Sequence, residues 1–447
     1  MGKKLYIKTY GCQMNVYDSV RMADVMAPMG YSLSDTPEGA DLVILNTCHI
    51  REKAEEKVYS DLGRIREEKN RKKGMLIAVG GCVGQAEGDE IIRRAPYVDM
   101  VVGSQSYHQL PDMVARASRE KGGVVELDFP QVQKFDFLPE STNPQGVSAF
   151  LAVQEGCDKF CTFCVVPYTR GAEYSRPLSA IVSEAKKMVD HGTIEITLLG
   201  QNVNAYHGAH NGGEASLAEL IDVLAQIRGL ERIRYTTSHP REMSEDLITI
   251  HGSEPKLMPS LHLPIQSGSD EILKKMNRKH DAAIYVDIIH RLRAARADLA
   301  LSSDFIVGFP GETEAHFEET MRLVQAVGYA SSFSFKYSAR PGTPAATQDN
   351  QVDEQVKEDR LARLQDLLKG QQLQFNESCI GKTLPVLLHK RGRREGQLLG
   401  KSPWLQSVHV QASDSVMNTI VDVAITSASI NSLGGTIVNE SQLKGAA

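Results

Sequence analysis

A chain of 447 residues, 41% of them hydrophobic and 24% charged, is long enough for about three globular domains at roughly 100–200 residues each. Its net charge of −6 argues against indiscriminate nucleic-acid binding, no stretch approaches the roughly 18 consecutive apolar residues of a membrane span, and the opening MGKKLYIKTYGC lacks the apolar core of a secretory signal, so a cytoplasmic location is expected. Seven widely spaced cysteines, an odd number, speak for metal or redox use rather than a disulfide framework.

Lys4–Tyr10 reads as a strand ending at Gly11-Cys12, and Asn15–Met29 has helical spacing at Val16, Val20, Ala23 and Ala27. A second strand, DLVILNT, ends at Cys48, the charged run IREKAEEKVYSDLGRIREEKN reads as an amphipathic helix, and a third strand, MLIAVGG, ends at Cys82. The intervals of 36 and 34 residues between Cys12, Cys48 and Cys82 are each close to one βαβ unit. Parallel strands joined by right-handed crossovers would deliver all three to one sheet edge, although each alone could be a small buried residue. Strands at Val98–Val102 and Val124–Leu127 would complete a flavodoxin-like domain over residues 1–128.

Residues 129–147, rich in Pro, Gln, Ser and Asn, read as a linker. The apolar strand Ala149–Val153 follows, Gly156 breaks it, and Cys157, Cys161 and Cys164 then lie on a loop past the strand's C-terminal end, where α/β sheets place their chemistry. Three clustered thiolates fall one short of a closed zinc site. In an iron–sulfur cube, three cysteines leave one iron open to an outside ligand. An incomplete zinc knuckle and inert core thiols are the alternatives.

Further strands are expected at Ile194–Leu199, Arg232–Thr236, Ser260–Pro264, Leu301–Val307 and Ser332–Tyr337, with helices at Leu178–His191, Ser216–Ile227, Ser244–His251, Asp281–Ala295 and Glu314–Val327. Six alternations over residues 148–376 predict a partial (β/α)6 barrel with polar loops ringing one mouth. Arg170, Glu173 and Arg176 read either as a solvated ion pair or as groups facing the chemistry, and the Gly308 loop either as a helix-capping turn or as a ligand contact. His207 and His210 receive no role. Short strand-like runs over residues 379–445 predict a small β-barrel, OB-like, whose Arg391, Arg393, Arg394 and Lys401, with Trp404, suit phosphate contacts and base stacking. From Ile380 onward the charge is +3, which leaves −9 for the rest. Cys379 reads as structural.

Cys157-x-x-x-Cys161-x-x-Cys164 with VVPYTRGAEYSRP, and the contexts TYGCQMNVYDSVRM, LNTCHIREKAEEKVYSDLGR and AVGGCVGQAEGDEI, resemble the methylthiotransferase branch of the radical S-adenosylmethionine (SAM) superfamily. The resemblance implies two 4Fe-4S clusters: one on Cys157, Cys161 and Cys164 that binds and cleaves SAM, and an auxiliary one on Cys12, Cys48 and Cys82 that delivers sulfur. It places SAM contacts near Gly200, Gln201, Asn202, Ser267, Asp304 and Gly308, with Arg170 and Glu173 facing SAM or substrate. The final domain resembles the RNA-binding TRAM domain, although Gly400-Lys401-Ser402 stands where that family commonly has Gly-Arg-Thr. The closest resemblance is to the branch that methylthiolates C2 of N6-isopentenyladenosine beside the tRNA anticodon. Its implied partners are the tRNA anticodon stem-loop, an electron donor of flavodoxin or ferredoxin type and a sulfur donor, with the protein as a monomer. The alternatives are methylthiolation of threonylcarbamoyladenosine or of a ribosomal-protein aspartate and, from another class, a non-enzymatic iron-sensing RNA-binding protein.

Overall fold

Apolar runs of three to seven residues, each followed by a glycine or a polar turn and then an amphipathic stretch, set up parallel strands with helical crossovers along the first two thirds of the chain. The computed structural model describes residues 2–48, 52–120, 122–129, 134–139 and 144–438. The first residues of the expected IREK helix, residues 130–133 and 140–143 of the expected linker, and residues 439–445 of the expected last domain lie outside the described residues.

The first unit runs β1 (Lys3–Thr9), α1 (Gln13–Met26), β2 (Tyr31–Leu33), β3 (Leu42–Thr47), α2 (Glu52–Arg71), β4 (Leu76–Gly80), α3 (Gly81–Glu87), α4 (Asp89–Arg94), β5 (Met100–Val102), α5 (Leu110–Ala117) and β6 (Val124–Glu126). All six strands are parallel in the order β2-β1-β3-β4-β5-β6. This is the expected doubly wound sheet with one addition, the edge strand β2, whose three residues are too few to show a period. β3 is buried along its whole length, as a central parallel strand covered on both faces must be.

The second unit begins with β7 (Ser148–Ala152), β8 (Gln154–Glu155), α6 (Val166–Arg170), β9 (Tyr174–Ser175) and α7 (Leu178–Asp190). It continues through β10 (Glu195–Leu199), the hairpin β11 (His207–His210) and β12 (Gly213–Ser216), α8 (Leu217–Ala225), β13 (Arg232–Thr236), α9 (Glu245–Ser253) and β14 (Ser260–His262). It closes with α10 (Asp270–Lys275), α11 (Ala282–Ala295), β15 (Ala300–Val307), α12 (Glu314–Val327), β16 (Ser331–Lys336) and α13 (Glu354–Glu377). β7, β10 and β13 form one parallel ladder and β14, β15 and β16 another, linked by a bridge between Ile233 and Leu257, so the six barrel strands stand in chain order. Leu151, Ile196, Leu198, Ile233 and Phe305 pack against Ile181, Leu220, Ile289 and Val324 from the outer helices. Burial at this level contributes about 1.5–3 kcal/mol per large apolar side chain.

α1 rests on the C-terminal ends of the barrel strands: Met14 and Tyr17 pack on Ala152 and Leu199, the last residues of β7 and β10. The Tyr17 hydroxyl donates to Glu184 Oε1 on α7 at 3.2 Å. The third unit is a closed antiparallel-rich barrel of β17 (Thr383–Arg391), β18 (Gln397–Lys401), β19 (Ser407–Gln411), β20 (Ile420–Ala428) and β21 (Leu433–Ile437), in the order β17-β18-β19-β21-β20. It docks on the opposite end of the (β/α)6 sheet. Arg232, the first residue of β13, donates to the carbonyls of Lys401 (3.1 Å) and Pro385 (2.6 Å), and Arg234 donates to those of Ser402 (3.1 Å) and Pro403 (2.7 Å). Glu195, opening β10, compensates both guanidiniums at 2.9 and 3.8 Å.

Candidate active site: two cysteine trios

Cys12 stands as the N-cap residue of α1 after β1, Cys48 directly follows β3, and Cys82 is the second residue of α3 after β4. Because β1, β3 and β4 are neighbours in register, with Thr9 beside Asn46 and Asn46 beside Gly80, the three strand ends emerge together. The approach is close enough to require glycine. Gly11 adopts φ +91°, and a Cβ there would lie 2.1 Å from the Cβ of Cys48; at Gly81, φ +83°, it would lie 2.4 Å from the Thr47 carbonyl. The Cys12 thiol shares a hydrogen bond with Cys48, which together with the charge of Arg170 brings it down to about 6, against the opposing effect of burial. Burial pushes the Cys82 thiol up, opposed by Arg170.

The second trio sits on the loop after β8. Gly156, φ +74°, opens it, since a Cβ there would meet the Ala172 carbonyl at 1.9 Å. The loop is clamped from several sides: Cys157 N donates to Gly171 O (3.2 Å), Cys164 N to Cys161 O (2.9 Å), and Thr162 N to Met276 O (3.1 Å). The Asn277 amide donates to the carbonyls of Lys159 (3.3 Å) and Phe160 (3.0 Å), holding Phe160 at φ +47°. Arg278 Nη1 lies 3.5 Å from Cys161 Sγ. Burial, reinforced by the neighbouring Cys161, raises Cys157 to about 11 and Cys164 to about 12. None of these cysteines is in a disulfide. Among the described residues no three His, Cys, Asp or Glu side chains are gathered tightly enough for a single metal ion. In an iron–sulfur cube each cysteine binds its own iron, and two all-thiol, three-membered donor sets fit that chemistry.

Around the second trio the barrel mouth is lined by buried polar atoms without partners: both amide atoms of Asn202, Ser238 Oγ, Ser269 Oγ, Arg278 Nε and His280 Nε2. Leaving such atoms dry costs about 1–3 kcal/mol each, so their concentration at one mouth fits a site built for a polar ligand. Burial, followed by the charge of Arg278, lowers His239 to about 2 and His280 to about 4, so both imidazoles are neutral. Gln154 Oε1 accepts from Gln201 N (2.9 Å) and Asn202 N (3.2 Å), and Gln201 Oε1 accepts from Gly156 N (2.5 Å), tying Gly200–Asn202 to the cysteine loop.

The other expected contacts are more dispersed. Ser267 is fully buried with its hydroxyl shared with Thr320 (3.3 Å), and Asp304 faces His262 Nε2 (3.3 Å). Gly308, φ +70°, donates to Glu312 Oε2 (2.6 Å). Glu173 faces His207 Nδ1 (3.5 Å), and burial raises its carboxyl.

Arg170 lies beside the first trio. Its Nη2 donates to Asn15 Oδ1 (2.9 Å) and Asp18 Oδ2 (2.7 Å), and its Nη1 to Glu155 Oε1 (2.7 Å). Lys134, from within the expected linker, is fully buried with Nζ 2.6 Å from Glu155 Oε2 and 3.5 Å from Asp18 Oδ1. Sequence reasoning missed Asn15, Asp18, Lys134, Gln154, Glu155, Arg278 and His280. The available signals were polar residues interrupting the α1 periodicity, Gln154-Glu155 prolonging an apolar strand, and the dense polar run Lys274–His280.

In the last barrel Arg391 pairs with Asp414 (2.5 Å), Arg393 and Arg394 are exposed, and half-buried Lys401 reaches the Leu405 carbonyl (3.3 Å). Trp404 differs from the base-stacking expectation. Its indole N–H donates to Asp298 O (2.8 Å) and its ring meets Phe375 edge-on at 5.7 Å, so it anchors the domain to the (β/α)6 unit. Cys379 is a buried core thiol.

The profile of the radical SAM superfamily matches residues 151–324, and that of the uncharacterized protein family UPF0004 matches residues 4–103. Among solved structures, a radical SAM methyltransferase from Kitasatospora setae shares the fold at TM-score 0.57 and 12% identity, over 89% of this chain and 81% of that one. The chain is 60% identical to the tRNA-2-methylthio-N(6)-dimethylallyladenosine synthase of Maricaulis maris, over 97% of both. It is 58% identical to that of Rickettsia rickettsii (strain Sheila Smith), over 98% of this chain and 100% of the relative. With two cysteine trios on a flavodoxin-like sheet and a radical SAM barrel, and that identity along almost its whole length, the chain belongs to the tRNA-2-methylthio-N(6)-dimethylallyladenosine synthase family.

Proposed function

We propose that this protein installs a methylthio group at C2 of N6-isopentenyladenosine beside the anticodon of tRNA. The observation that carries this reading is the 58–60% identity, along almost the whole chain, to tRNA-2-methylthio-N(6)-dimethylallyladenosine synthases, and the two separate three-thiol sets, on either side of the short helix α6, fit it. Cys157, Cys161 and Cys164 hold the 4Fe-4S cluster that takes SAM, and Cys12, Cys48 and Cys82 hold the auxiliary 4Fe-4S cluster. When bound, these groups supply a 5′-deoxyadenosyl radical, a methyl group and a sulfur atom, which an adenine C–H bond inert to acid–base catalysis requires.

The chain's own residues bind, orient and exclude water. Asn202, with Gly200 and Gln201 fixed by Gln154, presents two amide atoms to the polar end of SAM. Arg278 steadies Cys161, and neutral His239 and His280 keep added positive charge away from a cationic ligand. Ser267 and Gly308, past the ends of β14 and β15, and Asp304, within β15, face the rest of SAM, and Glu173 borders the same opening. Arg393, Arg394 and Lys401 hold phosphates of the anticodon stem-loop, and Arg391 joins them on exchanging Asp414 for a phosphate. A flavodoxin- or ferredoxin-type donor supplies electrons, a separate donor replaces the sulfur, and the protein works as a monomer in the cytoplasm.

Anaerobically reconstituted protein incubated with SAM, reductant and undermodified tRNA is expected to yield the 2-methylthio nucleoside by mass spectrometry. Deoxyadenosine without that nucleoside would refute the tRNA reading. Iron should approach about eight per chain and about four after C12A/C48A/C82A, which keeps SAM cleavage.

A further inference from the structure

Arg170 closes α6, which starts within two residues of Cys164, so roughly 7 Å of helix at 1.5 Å per residue separates one cysteine trio from the side chain that serves the other. The N-terminal domain grips this end of the helix. Ser104 Oγ donates to Thr169 O (2.6 Å), Gln105 Nε2 donates to Arg170 O (2.8 Å), and α3, which carries Cys82, packs on α6. The guanidinium then spans both domains, bonding Asn15 and Asp18 on α1 and Glu155 at the root of the cysteine loop. Asn15 Oδ1, which takes one of these bonds, also accepts from Cys12 Sγ at 3.8 Å, so the guanidinium reaches the first trio through a single shared oxygen. A planar fork with five donors can serve two carboxylates and an amide at once in a fixed geometry, which an ammonium cannot.

We propose that Arg170 is a positioning residue for the auxiliary centre: by tying α1 to Glu155 from the end of α6, against which α3 packs, it holds the helix starts that carry Cys12 and Cys82 at a set distance from the radical SAM trio and places a positive charge beside them. This rests on the reading that Cys12, Cys48 and Cys82 hold a second cluster. A purely structural role would be shared with Lys134, which serves the same carboxylates through Glu155 and Asp18, and so Lys134 provides the control.

The test is an EPR-monitored redox titration and iron assay of the full-length parent, R170Q, R170K and K134M after anaerobic reconstitution. R170Q is expected to keep the barrel cluster at its parental midpoint while the auxiliary midpoint moves to a more negative value, because a positive charge beside the thiolates has gone. Selective loss of the auxiliary irons in R170Q, with K134M fully loaded, supports the proposal equally. R170K, which keeps the charge but not the fork, should fall between; if R170Q does not fold, a selective auxiliary shift in R170K supports the proposal and parental values overturn it. Auxiliary iron and midpoint at parental values in R170Q, or an equal displacement in K134M, overturn it as well. About four irons in the parent would instead refute the two-cluster reading.

Discussion

Lys134 Nζ lies 2.6 Å from Glu155 Oε2, with the lysine wholly buried and the glutamate almost so. Breaking a buried pair strands its partner, at about 3–5 kcal/mol. Because Arg170 still neutralises Glu155, K134M is expected to destabilise at the lower end, about 3 kcal/mol, read as a lowered urea midpoint of the apoprotein. K134M/E155Q should recover part of that loss, since Arg170 then balances Asp18 alone instead of two carboxylates.

Gly11 is expected to tolerate nothing larger. G11A places a methyl 2.1 Å from the Cys48 Cβ at φ +91°, so either β1 or the Cys48 turn must move. Reconstituted G11A should retain the barrel cluster and lose the auxiliary one, about half the iron. G39A, at φ +69° with open space around it, incurs the backbone strain alone and should keep both.

Acid should weaken the fold through three buried histidines. Burial lowers His239 to about 2, His251 to about 3 with help from Arg296, and His280 to about 4, with Arg278 acting on the first and last. The unfolded chain protonates these groups near the ordinary value of about 6.5, whereas the folded chain does not. Their contribution is therefore whole above about pH 6.5 and shrinks as the pH falls, by about 1 kcal/mol each at pH 5.5. Thermal melts of the apoprotein should show Tm falling between pH 7 and 5, and H251Q should remove one proton from that dependence.

Arg393 and Arg394 are exposed, whereas Arg391 is tied to Asp414. R393Q/R394Q is expected to weaken binding of tRNA and to reduce the salt slope by about one for each phosphate no longer neutralised. D414N should tighten binding slightly by releasing Arg391. A filter-binding titration at several salt concentrations checks both.

Much of the architecture was legible because the signals were long. Strand Arg232–Thr236 and helix Glu314–Val327 match their expected bounds, as continuous periods with turn residues at both ends allow. β2 and α6 were not legible, since three and five residues fall short of a period. The cysteines stood out because thiols are rare and their intervals regular. The ionic groups around them did not, because a buried charge and a solvated one look alike in sequence: Lys134 lies in an apparent linker, and Arg170 sits in the motif of one trio while its side chain bonds Asn15 and Asp18 from the domain of the other. Trp404 shows the converse, an aromatic whose neighbours suggested nucleic acid and whose fold position makes it an inter-domain anchor.

Arg232 and Glu195 open their strands, whereas the cysteine loops and Gly200 lie past the strands' far ends. Five residues at about 3.3 Å each put the two ends about 16 Å apart. An RNA whose modified base enters the mouth while its backbone touches the last barrel must therefore run down the outside of the protein, straddling it like a clasp. On that reading the base and the backbone of one stem-loop are met at opposite ends of the same barrel, and a loop stripped of its stem would meet only one of them.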